Sequence, residues 1–146
     1  MPAQQPIQRA FSGPRPHKFP RSNRLKSKKL LDKLFTPGGE RPMKAWPVLM
    51  KVVEADLPTK VPTQSAFSVP KRRFGRAVDR NRVKRLMREA WRHERHDLES
   101  ELVQMHKQWA IVFIFVGQEL ADAQRCRKAI QKLVKQAEQR LSNPED

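Results

Sequence analysis

The sequence predicts a single domain of the α+β or α/β class, in which helices pack on a β-sheet. Apolar residues recur at helical spacing in three separate segments of the chain. Short runs rich in β-branched and aromatic residues lie between these segments. The resulting order is helix, two or more strands, helix, strand, helix, without an internal repeat, and such an order favours one layered domain. A length of 146 residues suits one domain with a tail.

The N-terminal region divides into a tail and a helix. Residues 1–20 hold five prolines and no acidic residue, so we expect a disordered basic tail. Ser22 or Asn23 is the predicted N-cap of a helix that extends to Phe35, and Thr36 with the Pro-Gly-Gly sequence after it stops this helix. The folded domain is expected to span residues 21–141, with a second disordered tail at residues 142–146.

Two strands are predicted next. Residues 45–55 are rich in strand-forming residues, and Pro47 places the start of this strand at a sheet edge or a bulge. Residues 64–70 alternate, with Ala66 on one side and Phe67 on the other. Residues 71–78 then form a basic loop, in which Gly75 offers a position for a positive φ.

An amphipathic helix is predicted over about residues 80–95, with Asp79 as its N-cap. On a helical wheel its apolar and basic residues fall on opposite faces, so one face can dock on the sheet while the other stays available for a ligand. The apolar residues are Val83, Leu86, Met87, Ala90 and Trp91, and the basic ones are Arg80, Arg82, Lys84, Arg85, Arg88, Arg92 and Arg95.

The C-terminal part is predicted to hold a strand and a helix. Residues 97–106 are mixed and read as helix or loop, whereas residues 109–116 form a short apolar run typical of a buried strand. Residues 121–140 place apolar residues at helical spacing and predict a C-terminal amphipathic helix.

Positive charge is concentrated in one short segment. The net charge is +16, and residues 71–95 carry 11 Lys or Arg against 3 acidic residues. Neutralising nucleic-acid phosphates needs several cations held close together. The alternative is a solvated, charge-rich surface helix, but like charges at this density repel one another unless a polyanion offsets them. The pattern therefore favours a nucleic-acid-binding protein.

The composition excludes several other classes. A single cysteine excludes an intramolecular disulfide and a Cys-based zinc finger, and it points to a reducing compartment. The longest apolar run is far shorter than the ~20 residues of a membrane helix, and no signal-peptide pattern is present, so a cytoplasmic location is expected. The four histidines and Cys126 form no visible catalytic or metal-binding constellation.

Residues 67–91 read FSVPKRRFGRAVDRNRVKRLMREAW. This segment resembles the signature of the bacterial ribonuclease P protein subunit family, in which a serine-valine strand end and a basic loop precede an arginine-asparagine-arginine helix. Here that helix motif is Arg80-Asn81-Arg82. Weaker similarity on both sides extends the resemblance over all but the proline-rich tail and the C-terminal end.

The resemblance implies an α+β fold with a four-stranded sheet, in the order αβββαβα and with a left-handed β-α-β crossover, as in the second domain of one ribosomal protein. We expect the fourth strand to be short and to lie near residues 72–78. The implied function is that of a ribonucleoprotein endoribonuclease that removes the 5′ leader of precursor tRNA. The RNA subunit is then the catalyst and the main holder of Mg²⁺.

The implied partners are the catalytic RNA and precursor tRNA, with no membrane and no obligatory protein partner. The main alternative is a structural RNA-binding protein of the ribosomal type. A helix-turn-helix DNA-binding protein is disfavoured, because β-rich segments flank the basic helix.

The resemblance also implies two groups of contact residues and no catalytic residue, and no metal-binding residue is predicted. The first group contacts the catalytic RNA and consists of Lys71, Arg72, Arg73, Arg76, Arg80, Asn81, Arg82, Lys84, Arg85 and Arg88. The second lines a leader cleft between the first helix and the sheet and consists of Arg24, Lys28, Leu31, Phe35, Met50 and Phe67. Leu31 and Met50 stand where family members often have aromatic residues, so a weaker or different leader preference is expected.

Overall fold

A computed structural model describes residues 23–36, 41–58, 60–120 and 122–142. Its elements in chain order are α1 (Lys28–Phe35), β1 (Met43–Ala45), β2 (Val48–Glu54), β3 (Thr63–Ser68), α2 (Ala77–Glu94), α3 (His96–Gln104), β4 (Trp109–Phe115) and α4 (Ala123–Ser142). The four strands form one mixed sheet in the order β1-β2-β4-β3. The predicted α+β class and the four-stranded sheet are confirmed.

The central strand β4 pairs with β2 in antiparallel and with β3 in parallel orientation. Because parallel neighbours need a crossover connection, α2 and α3 both lie between β3 and β4 in the chain. The element order is therefore αβββααβα, with one more helix than expected. The additional helix, α3, occupies the segment for which helix or loop was predicted, and the hand of the crossover stays a prediction.

Helices cover the two faces of the sheet unequally, and the alternation along β4 shows how. Ile111 and Phe113 point into the larger core, where they meet α2, α3 and α4, and Trp91 of α2 is fully buried there. Ala110 and Val112 point to the opposite face, where they meet α1 and the segment before it. α1 therefore stands alone on its face and leaves part of the sheet accessible.

The segment before α1 lies along β3, which is an edge strand of the sheet. Arg24 and Ser65 form an isolated parallel bridge, and the Leu25 amide donates to the Ser65 carbonyl at 2.9 Å. The buried Asn23 side-chain amide also donates to the Thr63 carbonyl, at 3.2 Å. These bonds cover part of an edge that otherwise exposes unpaired backbone groups.

The start of α1 differs from the prediction. Ser27 is its N-cap, because the Ser27 hydroxyl accepts a hydrogen bond from the Leu30 amide at 3.3 Å. Asn23 does not cap the helix, since its side chain is engaged with β3. Ser22 lies outside the described residues, as do residues 37–40 after the helix.

The single strand predicted over residues 45–55 is a hairpin of two strands. Ala45 pairs with Val48, so Trp46 and Pro47 form the turn between β1 and β2. The fourth strand is therefore β1, and its placement near residues 72–78 is wrong. Residues 71–73 form a turn instead, and α2 begins at Ala77.

The N-terminus of α2 also differs in detail. Arg76 is the N-cap residue and makes no side-chain cap hydrogen bond, whereas Asp79 lies in the first turn. A carboxylate there still interacts favourably with the helix dipole. Gly75 does not adopt a positive φ, so the loop does not depend on that property of glycine.

The predicted tails fall almost entirely on residues that are not described. Residues 1–20 and 143–146 lie outside the described part, and Ser142 is not in a tail because it ends α4. Among the helices that the structure describes, none is long and apolar enough to cross a bilayer.

Candidate nucleic-acid interface

The loop of residues 71–76 and the outer face of α2 form a continuous basic surface, here called the α2 surface. The apolar face of α2 packs against the sheet and α4 through Val83, Met87, Ala90 and Trp91, which fixes the outward direction of the opposite face. Eight of the ten predicted RNA-contact residues lie exposed or half-exposed, and their side chains form no ion pair with a described residue: Lys71, Arg72, Arg73, Arg76, Asn81, Arg82, Lys84 and Arg85.

Carboxylates neutralise only the C-terminal end of this basic face. Arg92 forms an ion pair with Glu89 at 2.6 Å, and Arg95 lies 3.5 Å from Glu99. The hydrogen bond from Arg92 lowers the pKa of the Glu89 carboxyl. Within the described part of the chain, no ion pair involves the basic residues between positions 71 and 88. That part of the surface remains available for a polyanion.

Arg80 shapes the α2 surface from within. Its Nη1 atom donates to the Phe74 carbonyl at 2.8 Å and to the Gly75 carbonyl at 2.9 Å. The Phe74 ring in turn packs at 5.8 Å from the ring of Phe115 at the end of β4. Arg80 therefore connects the basic loop to the first turn of α2, and at least one of its nitrogen atoms is committed to this loop.

Arg88 lies at the edge of the sheet, above an aromatic pair. Its guanidinium carbon is 5.4 Å from the centre of the Phe67 ring, a cation–π distance, and Phe67 stacks on Phe113 with 5.4 Å between ring centres. Burial lowers the pKa of Arg88, and the positive charge of Arg24 lowers it further. Two guanidinium groups therefore lie close enough to repel each other.

A cavity of about 390 Å³ separates these two arginines, and we call it the Arg24–Arg88 cavity. Its walls come from the segment before α1, from β3 and from α2, and they include Lys26 and Phe67. Three cations line this cavity without a carboxylate, and these are the side chains that a phosphate group favours. The cavity brings Arg24 and Phe67, predicted to contact the leader, together with Arg88, predicted to contact the catalytic RNA.

The other residues predicted for the leader cleft separate into two places. Lys28, Leu31 and Phe35 lie on α1, where Leu31 packs partly against the sheet and Phe35 remains 46% exposed. Met50 is fully buried in the larger core, on the face of β2 that points away from α1. Met50 therefore cannot contact a leader in this structure, and its inclusion in the cleft is corrected.

The residues that border α1 on the sheet were missed by the sequence analysis. In β2 they are the two neighbours of Met50, and in β3 and β4 they are residues on the same face of the sheet as α1. These residues are Leu49 and Lys51 of β2, Ala66 and Ser68 of β3, and Ile114 of β4. Lys51 donates from Nζ to the Leu34 carbonyl at 3.0 Å, near the end of α1. The alternation of side chains along β2 predicts this face once Val48, Met50 and Val52 are assigned to the larger core.

The described residues do not fit a metal site held by protein side chains alone. In the ranges that the structure describes, no group of three or more His, Cys, Asp or Glu side chains lies close enough to share an ion. Burial raises the pKa of the Cys126 thiol to about 11, which disfavours the thiolate needed for nucleophilic chemistry.

Comparison with known proteins agrees with this picture. A model of the family described as Ribonuclease P matches residues 19–138. The chain belongs to the ribonuclease P family. The α2 surface and the Arg24–Arg88 cavity both fall inside the matched region.

Two bacterial relatives named "Ribonuclease P protein component" illustrate the similarity. The one from Porphyromonas gingivalis is 48% identical over 65 residues, which cover 44% of this chain and 47% of the relative. The one from Chlorobaculum tepidum is 36% identical over 96 residues, which cover 63% of this chain and 60% of the relative. The chain thus spans about half to three fifths of the length of these relatives.

A solved structure supports the fold independently. The Staphylococcus aureus RNase P protein superposes with a TM-score of 0.55 at 18% sequence identity. The match covers 79% of this chain and 94% of that protein. At this level of identity the likeness shows the ribonuclease P protein fold and leaves the contacts of individual side chains to be tested.

Proposed function

We propose that this chain is the protein subunit of a ribonuclease P holoenzyme, in which it binds the catalytic RNA and the 5′ leader of precursor tRNA. Membership of the family supports a role in tRNA processing. The observation that carries the proposal is the α2 surface, where no basic residue between positions 71 and 88 forms an ion pair with a described carboxylate. A polyanion with closely spaced phosphates is the ligand that such a surface favours.

In this proposal the protein binds and orients RNA, while the RNA subunit cleaves the phosphodiester. The proposal assigns Mg²⁺ mainly to the RNA, and among the described residues no group of three or more His, Cys, Asp or Glu side chains lies close enough to share an ion. Mg²⁺ there would supply charge stabilisation for hydrolysis of one phosphodiester. The contribution of this chain is electrostatic, because cations held by a folded scaffold reduce the repulsion between two RNA molecules.

The Arg24–Arg88 cavity is the proposed junction between the two RNA ligands. It lies where the α2 surface meets the segment that leads into α1. A phosphate held there by both guanidinium groups would offset their mutual repulsion. The leader would then continue along the open part of the sheet, beside Ile114 and the exposed Phe35 ring.

The experiment is leader removal from a precursor tRNA by the catalytic RNA of the same genome, at low Mg²⁺, with and without this protein. We expect the protein to stimulate cleavage, and we expect Arg82→Ala to reduce assembly by about 1–3 kcal/mol. Lys132→Ala on α4 is the matched control, because it removes one exposed positive charge away from the α2 surface. Equal loss in both variants would show a nonspecific charge effect and contradict the proposed site.

The alternative function, a structural RNA-binding protein of the ribosomal type, gives a different result in the same assay. Such a protein would bind RNA with a similar salt dependence but would not stimulate leader removal. Tight, salt-sensitive binding without stimulation would therefore refute the holoenzyme proposal and favour this alternative.

A further inference from the structure

We propose that Trp46 and the cavity beside it bind one unpaired RNA nucleotide, with the base stacked on the indole ring and its amino group bonded to Glu119. This proposal rests on the proposed function only because it requires the chain to bind RNA. It concerns the turn between β1 and β2, which neither the α2 surface nor the leader cleft includes.

Trp46 is unusual among the three tryptophans in its exposure. It is 64% exposed, whereas Trp91 and Trp109 are buried in the core. A large aromatic side chain gains free energy when water is removed from its faces, so an exposed indole beside a cavity offers a stacking surface. Stacking on a nucleobase satisfies this requirement without a deep pocket.

The cavity beside Trp46 has the polar groups that a base needs. Its volume is about 180 Å³, and its lining comprises the Trp46-Pro47 turn, Gly117, Gln118, Glu119 and Arg125. The Asp122 carboxylate fixes the start of α4 by accepting from the Arg125 backbone amide at 2.8 Å. A flat apolar ring, a carboxylate acceptor and a guanidinium therefore surround one small space.

The position of the cavity connects it to the α2 surface. The Val116 amide donates to the Pro47 carbonyl at 2.8 Å, which joins the turn to the end of β4. A Cβ at Gly117 would lie 2.8 Å from Cζ of Phe115 and 3.0 Å from Cβ of Pro47, so these residues are in close contact. Phe115 also packs against Phe74 of the basic loop. The Trp46-Pro47 turn and the basic loop therefore lie at the same end of β4.

The lining favours a base with an amino group. A carboxylate only accepts hydrogen bonds, so Glu119 can bond to the amino groups of adenine, cytosine or guanine. Uracil has two carbonyl oxygens and a single ring N–H, so it repels the carboxylate at most of its edge. Arg125 is placed to contact the phosphate of the same nucleotide. A protein ligand is less favoured, because Arg125 lines the cavity and the basic loop at the same end of β4 attracts a polyanion.

The test uses the full chain and single-stranded oligoadenylate, oligocytidylate and oligouridylate of about ten nucleotides, within the usual footprint of such proteins. Tryptophan fluorescence reports stacking directly, because Trp46 is the exposed tryptophan. We expect quenching by adenylate and cytidylate, and affinity about 5- to 100-fold lower in Trp46→Ala. Trp46→Phe should retain part of the affinity. Val103→Ala, at another exposed apolar residue, is the control and should bind as the parent does.

Glu119→Gln tests the base preference separately. We expect it to reduce the preference for adenylate over uridylate, because an amide can donate as well as accept. If the parent chain binds RNA strongly and Trp46→Ala binds it with the same affinity, in a measurement that does not use Trp46 fluorescence, this proposal is overturned. The proposed function would remain intact. Failure of the parent to bind any RNA would refute both. Loss of self-association in Trp46→Ala, with RNA binding unchanged, would show a protein contact instead and overturn it as well.

Discussion

Replacement of Arg88 by alanine tests the Arg24–Arg88 cavity, because its expected effects on stability and on RNA binding differ. The variant loses the cation–π contact with Phe67, worth about 0.5–1 kcal/mol at a partly exposed site. It also removes the repulsion from Arg24, which acts in the opposite direction. The two changes offset each other, so we expect the free energy of unfolding to change by less than about 1 kcal/mol.

RNA binding should respond far more strongly. If Arg88 contacts a phosphate, Arg88→Ala should weaken binding by about 1–3 kcal/mol and reduce the slope of log affinity against log salt by about one. Arg24→Ala should act on the same phosphate, so the double variant should lose less affinity than the two single losses added together. Arg88→Lys should recover only part of the affinity, because an ammonium lacks the planar fork of a guanidinium.

The assay is titration of the catalytic RNA at several salt concentrations, with urea unfolding of each variant measured in parallel. An unchanged salt slope in Arg88→Ala would refute the phosphate contact. Fully additive losses at Arg24 and Arg88 would show that the two residues serve separate sites. A large loss of stability with unchanged RNA affinity would assign Arg88 to the fold alone.

The remaining predictions concern single groups. Arg80→Ala should lower the free energy of unfolding by about 1–3 kcal/mol, because two carbonyls of the basic loop lose a charged donor. Amide hydrogen exchange at residues 71–76 should become faster. Unchanged exchange would contradict the role of Arg80 in holding this loop. Met50→Ala should cost about 2–5 kcal/mol of stability, because the side chain is fully buried, with the ratio of affinities for long-leader and leaderless substrates unchanged; a changed ratio would return Met50 to the leader site. Gly117→Ala should destabilise the protein by about 1–3 kcal/mol in urea unfolding, because the new methyl group overlaps Phe115. Glu138→Gln should raise the melting temperature at neutral pH, because burial and the neighbouring Glu101 and Asp97 raise the pKa of this carboxyl in the folded state. Because the pKa of Glu138 is higher in the folded than in the unfolded state, the stability of the parent falls as pH rises from the unfolded to the folded pKa. The difference in melting temperature between parent and variant should therefore vanish in acid, where the carboxyl is protonated.

The sequence predicted the elements with strong periodicity and missed the boundaries set by tertiary contacts. The apolar face of α2 and the buried strand β4 were predicted correctly, because each has a long, regular pattern. The β1–β2 hairpin was not separated, since a two-residue turn of Trp46 and Pro47 interrupts an otherwise continuous apolar run. The helix start at Ser27 was missed because Asn23 and Ser22 also have the chemistry of an N-cap.

The sequence was sufficient to predict the basic α2 surface, but not the contacts between residues that are distant in the chain. A dense run of cations on one helical face identified the α2 surface, because all its residues are close in the chain. The Arg24–Arg88 cavity joins residues that are far apart in the chain, and the pairing of the segment before α1 with β3 brings them together. The assignment of Met50 to the leader cleft was wrong for a different reason, because a shift of one residue along a strand moves a side chain to the other face of the sheet.

The short segment that pairs with β3 has a consequence for the behaviour of the protein in solution. The same backbone bonds that position Arg24 beside Arg88 also shield an edge strand from pairing with another molecule. The RNA proposed to bind between the two arginines would favour the shielded form, because a ligand stabilises the state to which it binds. We therefore expect RNA to reduce any self-association of the concentrated protein through this edge.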